Sequence, residues 1–368
     1  MVRAAASTLS RRILVTLAAL VVFRLGCLVP IPSIEAGTIY ESAGPLAGDM
    51  VARVSVFALG LTPVLFVLVC AEAIKLLFEP LQRWEAASAA NRDRLALILR
   101  LLALLLAGLQ AWQLAWALEG AHGLVREPGW PFEIGVIATI VAATAFLIWL
   151  ADQITRYGFG PGFWLLWLAP GLSGIGHHLA LWREMLRADA ITAPQMVLAA
   201  IWLVAMVLIV LSLAKARFGR SLLRRDDRAL SLTGSLTHSP AAFDVMPLFA
   251  GAFVSGLVIS FAGRYLPRSP HSLAWEAADL VGVAFFIAFF YFLRARADLA
   301  LAPLRGEPVD RAAAFRKAWI TAAGLIALLA TNALIALPFQ AFAIQVVTVL
   351  VAAEVIEALA AYVPQKVR

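Results

Sequence analysis

Charge is what this sequence has least of. Only 14% of its residues are Asp, Glu, Lys or Arg, and 62% are apolar, against about 25% and about 45–50% in an average soluble domain. Too few ionisable side chains remain to clothe a water-facing surface, which excludes a soluble fold. Cysteine is nearly absent, and Cys27 and Cys70 both lie inside apolar runs. That excludes a disulfide framework and a cysteine-rich metal site, and leaves two small buried hydrophobes. Histidine is scarce as well: His122, His177, His178, His238 and His271 lack the H-E-x-x-H spacing of a helical zinc site. The glycine-rich GFGPG turn, Gly158 to Gly162, is not followed by the lysine and hydroxyl residue of a phosphate-cradling loop. No nucleophile–base constellation stands out. The chain is therefore expected to carry out no catalysis and to need neither cofactor nor metal.

What is present is apolar sequence in long runs, with a mean hydropathy of +0.87. A spanning helix takes about 20 apolar residues, because the hydrocarbon is about 30 Å thick and each residue rises 1.5 Å. Ten runs meet that requirement, at roughly 12–29, 55–78, 95–117, 133–151, 163–182, 193–214, 245–263, 277–294, 317–337 and 340–361. The first follows Arg11-Arg12 as a signal peptide would, but it ends in VPIP without a small-residue cleavage site, so it reads as a retained span. The ninth and tenth read as a hairpin broken at Leu337-Pro338-Phe339, since proline cannot continue one long helix.

An even number of spans places both termini on one side, and the bases decide which. With the termini inside, the cytoplasmic face holds Arg11, Arg12, Lys75, Arg83, Arg92, Arg94, Arg100, Arg156, Lys215 to Arg228, Arg294 to Lys317 and the C-terminal pair Lys366 and Arg368, whereas the outer side keeps only Arg126, Arg183, Arg187, Arg264 and Arg268. The inner loops at about 215–240 and 295–316 have the most wetted surface. The first carries KARFGRSLLRRDDR, whose bases suit either an acidic protein or RNA partner or the headgroups of anionic lipid. Five spans precede the outer loop at about 183–192 and five follow it. The second half thus begins on the opposite side from the first, an inverted arrangement common in proteins that open a path across the membrane. The expected organisation is an N-terminal half, residues 1–190, and a C-terminal half, residues 191–368.

Three stretches in order carry a resemblance: RRILVTLAALVVFRLGCLVPIPSIE (Arg11 to Glu35), VARVSVFALGLTP (Val51 to Pro63) and FLIWLADQITRYGFGPG (Phe146 to Gly162). Together they resemble SecY, the ten-span core subunit of the bacterial protein-conducting channel. LTHSPAAFDVMPLFAGAFVSGLVISF, Leu236 to Phe261, is similar to that family's seventh span. The resemblance implies an all-α membrane protein of ten helices in two inverted halves, in the bacterial plasma membrane. It would pass unfolded polypeptide across the bilayer or sideways into lipid. It also implies small SecE-like and SecG-like membrane subunits, and a SecA-like motor or a ribosome on the cytoplasmic loops.

The same resemblance assigns residues. A belt of pore-ring side chains, able to gate by dewetting, falls on Leu61 and Leu65 of the second span, Phe163 and Trp167 of the fifth, Ala252 or Phe253 of the seventh, and Val347 or Thr348 of the tenth. Leu61 and Leu65, like Phe163 and Trp167, are spaced to share a helix face. Aromatics stand where the family has aliphatic belt residues, which implies a tighter waist and a narrower substrate range. The segment at about 44–54, with Gly48, Asp49 and Arg53, resembles the family's plug. Gln110 and Ser255 fall on the two lips of its lateral exit, between spans two and three on one side and seven and eight on the other. Arg217, Arg220, Arg224, Arg225 and Arg305, the last in PLRGE, fall where the family docks its partners.

Four charged residues within spans stand out, because ionisation there costs several kcal/mol. Arg24 matches the family's first-span arginine and reads as structural. Glu72 stands where the family has glutamine, and Glu354 and Glu357 share a face of span ten. These acids motivate a rival reading, a proton-coupled small-solute transporter. The shortened loop after span eight and the aromatic belt motivate another, a divergent paralogue serving one substrate or a structural role.

Overall fold

The computed structural model describes residues 2–34, 54–120, 124–189, 192–218, 246–265, 273–301, 311–336 and 352. Its helices are α1 (Val2–Gly26), α2 (Thr62–Leu77), α3 (Glu79–Ala87), α4 (Ala89–Glu119), α5 (Trp130–Tyr157), α6 (Gly162–Arg187), α7 (Ala193–Phe218), α8 (Met246–Tyr265), α9 (Leu273–Leu301) and α10 (Arg311–Ala336). A long helix thus stands at each of the first nine expected runs. The tenth, apart from Ala352, lies outside the described residues, as does the 337–339 turn. Over Ala89–Glu119, Trp130–Tyr157, Leu280–Ala300 and Arg311–Thr331 the helices are long and apolar enough to cross a membrane.

The short α3 is an element that the hydropathy reading misses. Phe78 adopts an extended conformation between α2 and α3, its N–H closing on the Ile74 carbonyl, and Pro80 follows in the first turn of α3. Pro80 has no N–H to continue the hydrogen bonds of α2, and its fixed φ suits the first turn of a helix, so the chain breaks at Phe78 and starts a new helix at Glu79. Ser88 then caps α4, its hydroxyl accepting from the Ala90 N–H at 3.2 Å.

Packing follows membrane logic. On α4 the buried stripe is Ala103, Ala107, Ala111 and Ala115, each fully buried, while Leu97, Leu101, Leu105 and Leu109 on the outer face are 51–63% exposed. Small residues let helix backbones approach, and large apolar ones lose nothing by facing lipid. The alanine stripe packs against α5, where Gly108 lies against Ile137 and Val141. Between α8 and α9 the approach is closer still, since a Cβ on Gly251 would stand 2.8 Å from the Ile287 backbone nitrogen.

One apolar cluster runs through the molecule. It takes in Phe23 of α1, Leu61 and Leu68 at α2, Leu147 of α5, Phe163 and Trp164 of α6, Met206 of α7, Leu248 of α8, Ile287 of α9 and Leu325 of α10. A smaller one under the outer loops joins Ile31 and Ile34 to Ala111, Phe132 and Ile140. There the chain after α1 pairs with the lead-in to α2: Ile31 N–H donates to the Val54 carbonyl at 3.0 Å and Val56 N–H to that of Val29 at 2.9 Å.

Replacing Gly251 by valine forces α8 from α9 and is expected to cost about 1–3 kcal/mol, as overpacking does. Gly256→Val, where no neighbouring atom lies within 4 Å of an added Cβ, is the matched control. Thermal unfolding of the detergent-solubilised chain should separate the two by several degrees.

Candidate functional site

The residues expected at the belt on α2 and α6 belong to, or pack against, the large apolar cluster. Leu61, the N-cap of α2, and Phe163, in the first turn of α6, are 4% and 3% exposed, and Leu65 and Trp167 pack against the same apolar cluster. From α8 the contact comes through Phe249 and Phe253. Phe249 stacks on Trp164, with ring centroids 6.0 Å apart and planes 19° from parallel, and meets Trp167 edge-on at 5.9 Å. Phe253 meets Phe66 of α2 edge-on at 4.4 Å. Ala252 is exposed, so the residue beside it, Phe253, makes the α2 contact. Aromatic pairs in these geometries add about 0.5–1.5 kcal/mol each beyond burial. The belt motif does not reveal Trp164, Phe66 and Phe249, because one large ring in an apolar run looks like any other.

Below this waist lies a buried ion cluster. Glu72 of α2 is bonded from the Arg294 guanidinium of α9 at 2.7 Å, and its other oxygen lies 2.8 Å from the Lys75 ammonium. Lys75 also reaches Glu85 of α3, at 3.3 Å. Gln82 of α3 donates to the Lys75 carbonyl at 2.5 Å, and Asp298 lies 3.6 Å from the Arg294 Nε. Lys75, Glu72 and Glu85 are 5%, 2% and 5% exposed. Two carboxylates and two cations thus neutralise one another at the core of the cluster. Lys75 and Arg294 were expected among the water-facing cytoplasmic bases. Lys75 is instead buried, because Glu72 and Glu85 give its charge a lower-energy place than the lipid boundary.

The GFGPG turn is built as its sequence requires. Gly160 has φ +103°, open to glycine at little steric cost. Thr16 of α1 accepts from the Phe159 N–H at 2.7 Å, and Thr155 of α5 accepts from the Gly162 N–H at 3.0 Å. A side chain at Gly162 would collide with the Ala151 carbonyl. Nearby, Arg100 of α4 pairs with Asp152 of α5 at 2.8 Å.

On the lips of the expected exit, Ser255 is fully buried. Its hydroxyl and the Gln110 carbonyl oxygen have no hydrogen-bond partner among the described residues. Arg24 stands exposed in the last turn of α1, and Arg217 falls at the end of α7. Gly48, Asp49, Arg53, Arg220, Arg224, Arg225, Arg305, Val347, Thr348, Glu354 and Glu357 lie outside the described residues.

Lys75→Met leaves Glu72 and Glu85 short of a cation, and breaking a buried pair in this way costs about 3–5 kcal/mol. Its unfolding temperature should fall well below that of wild type, and the double variant Lys75→Met/Glu85→Gln, which removes one charge of each sign, should recover part of the loss.

The SecY family profile matches residues 55–295, well over half of the chain. The protein translocase subunit SecY of Buchnera aphidicola is 27% identical over 267 residues, covering 68% of this chain and 75% of that protein. Its counterpart in Escherichia coli K12 is likewise 27% identical over 267 residues, but the match spans only 60% of that protein's length. Among solved structures, one described as a protein conducting channel aligns over 96% of this chain and 92% of its own, with a TM-score of 0.54 at 12% identity. Sec61 in the canine ribosome-channel complex aligns over the same shares with a TM-score of 0.56 at 13% identity. Those two likenesses establish a common fold. A match across 55–295, which contains the aromatic waist, the GFGPG turn and the Glu72–Arg294 pair, makes this chain a member of the SecY family.

Proposed function

We propose that this chain is a protein-conducting channel subunit that lets an unfolded polypeptide cross the membrane or pass sideways into lipid. The observation that carries the reading is the convergence of Leu61, Leu65, Phe163 and Trp167 with Phe249 and Phe253 in one apolar cluster, within a chain of the SecY family. An apolar constriction excludes ions by dewetting and requires no fixed ligand for the passing chain. The packed waist is then the sealed form of the gate. Opening it means parting α2 and α6 from α8, with the halves 1–190 and 191–368 moving as two bodies. Ten spans, both termini in the cytoplasm and residence in the bacterial plasma membrane complete the reading. SecE-like and SecG-like subunits would hold the halves, and a SecA-like motor or a ribosome would dock on the basic loops carrying Arg217, Arg220, Arg224, Arg225 and Arg305. Gly48, Asp49 and Arg53 would cover the outer side as a plug, Val347 would complete the ring from span ten, and Gln110 and Ser255 would line the lateral exit.

The stacked Trp164 and Phe249 favour a specialised form of this function. Rings fill the waist more completely than aliphatic chains and lose more contact when parted, so fewer substrates would supply enough energy to open it. The proton-coupled transporter finds less support. Both Glu72 oxygens are already engaged by cations, Arg294 at 2.7 Å and Lys75 at 2.8 Å, in a structural ion cluster.

A photo-crosslinker at Leu65 should capture a secretory chain stalled in transit in membrane vesicles. No crosslink, alongside efficient capture by a conventional SecY in the same vesicles, would overturn the channel reading. Phe249→Ala removes the ring that both tryptophans pack against, and should raise ion leakage across planar bilayers several-fold over wild type.

A further inference from the structure

We infer that Glu72 and Arg294 form an ionic latch across the seam between α2 and α9, held in register by α3. The inference rests on the channel reading for what the seam opens to, but its parts are local.

α2 packs against α8 and α9 on one side and α4 on the other. Two different interactions bridge it to the C-terminal half: the Phe66–Phe253 ring pair with centroids 4.4 Å apart, and the 2.7 Å bond from Arg294 to Glu72. Glu72 lies six residues beyond Phe66, about 9 Å along the helix, so the seam is closed by rings in the first half of α2 and by charge nearer its end. These two closures differ in kind. Rings can slide while remaining in contact, whereas a guanidinium withdrawn from a carboxylate in a poorly hydrated setting leaves both charges exposed to low dielectric. The ionic contact is therefore the all-or-none element of the seam.

α3 sets its strength. Glu72 shares its charge between Arg294 and Lys75, and Lys75 shares its own between Glu72 and Glu85. While Glu85 is in place Lys75 divides its charge between two carboxylates. If α3 swings away, Lys75 bears on Glu72 alone and competes with Arg294, which also has Asp298 at 3.6 Å, for it, and the bridge to α9 weakens. The other face of α3 presents Arg83 and Trp84, both exposed, so a load on that face bears directly on Glu85. A short helix with Gln82 and Glu85 turned inward thus couples the outside of the seam to the charge that holds it shut.

The test places spin labels at Leu77 on α2 and Arg296 on α9, both exposed, in the full-length chain with Cys27 and Cys70 replaced by alanine, reconstituted in liposomes. Glu72→Gln/Arg294→Gln removes the bridge yet leaves Lys75 and Glu85 as a neutral pair, so it keeps the fold without the latch. Pulsed electron-resonance distances should lengthen and broaden in this double variant and in Glu85→Gln, and stay at the wild-type value in Arg294→Lys. An unchanged distance in the double variant overturns the latch, and an unchanged distance in Glu85→Gln overturns the part given to α3. Crosslinking at Leu65 is read separately on the same proteins. A seam that widens while no secretory chain is captured upholds the latch and sinks the channel reading, and capture with a fixed seam does the reverse.

Discussion

A polar group with no water to turn to must find its partner inside the chain, and the internal architecture of this protein follows from that constraint. Glu72 draws Arg294 to itself from α9, and Lys75, its neighbour on α2, reaches Glu85 of α3. Arg100 and Asp152 tie α4 to α5. The backbone N–H groups freed where the chain turns between α5 and α6 are taken by Thr16 and Thr155. Each contact joins elements that hydrophobic burial alone would leave free to slide, because lipid solvates an apolar helix as well as another helix does.

Against that fixed polar framework, the apolar contacts set distance and shape. Alanines on α4 and Gly251 on α8 allow close helix approach, and where α8 meets α2 and α6 the contacts are made by rings.

Much of this was legible in the chain itself. The nine long helices among the described residues follow from apolar runs, and the GFGPG turn follows from a short motif. Other features were not. The helix α3 hides in a polar stretch too short for a span, with Pro80 as its one signal. Glu72 was visible as an acid in an apolar run, but its partners were not, since Arg294 is more than two hundred residues away and a base near a span's end reads equally well as wetted. Ala252 and Phe253 are neighbours in an apolar helix, and only the rotation of α8 decides which of them meets α2.

Composition and spacing alone determined that this chain lives in a bilayer, roughly where its long helices fall, and which motifs it shares with its family, because those properties depend on solvent and on local backbone preference. Which buried charges pair, which rings fill the waist and which face of α3 turns inward were decided only by the tertiary structure. Those outcomes depend on helix rotation and on contacts between residues far apart in the chain, and neither leaves a periodic mark along it.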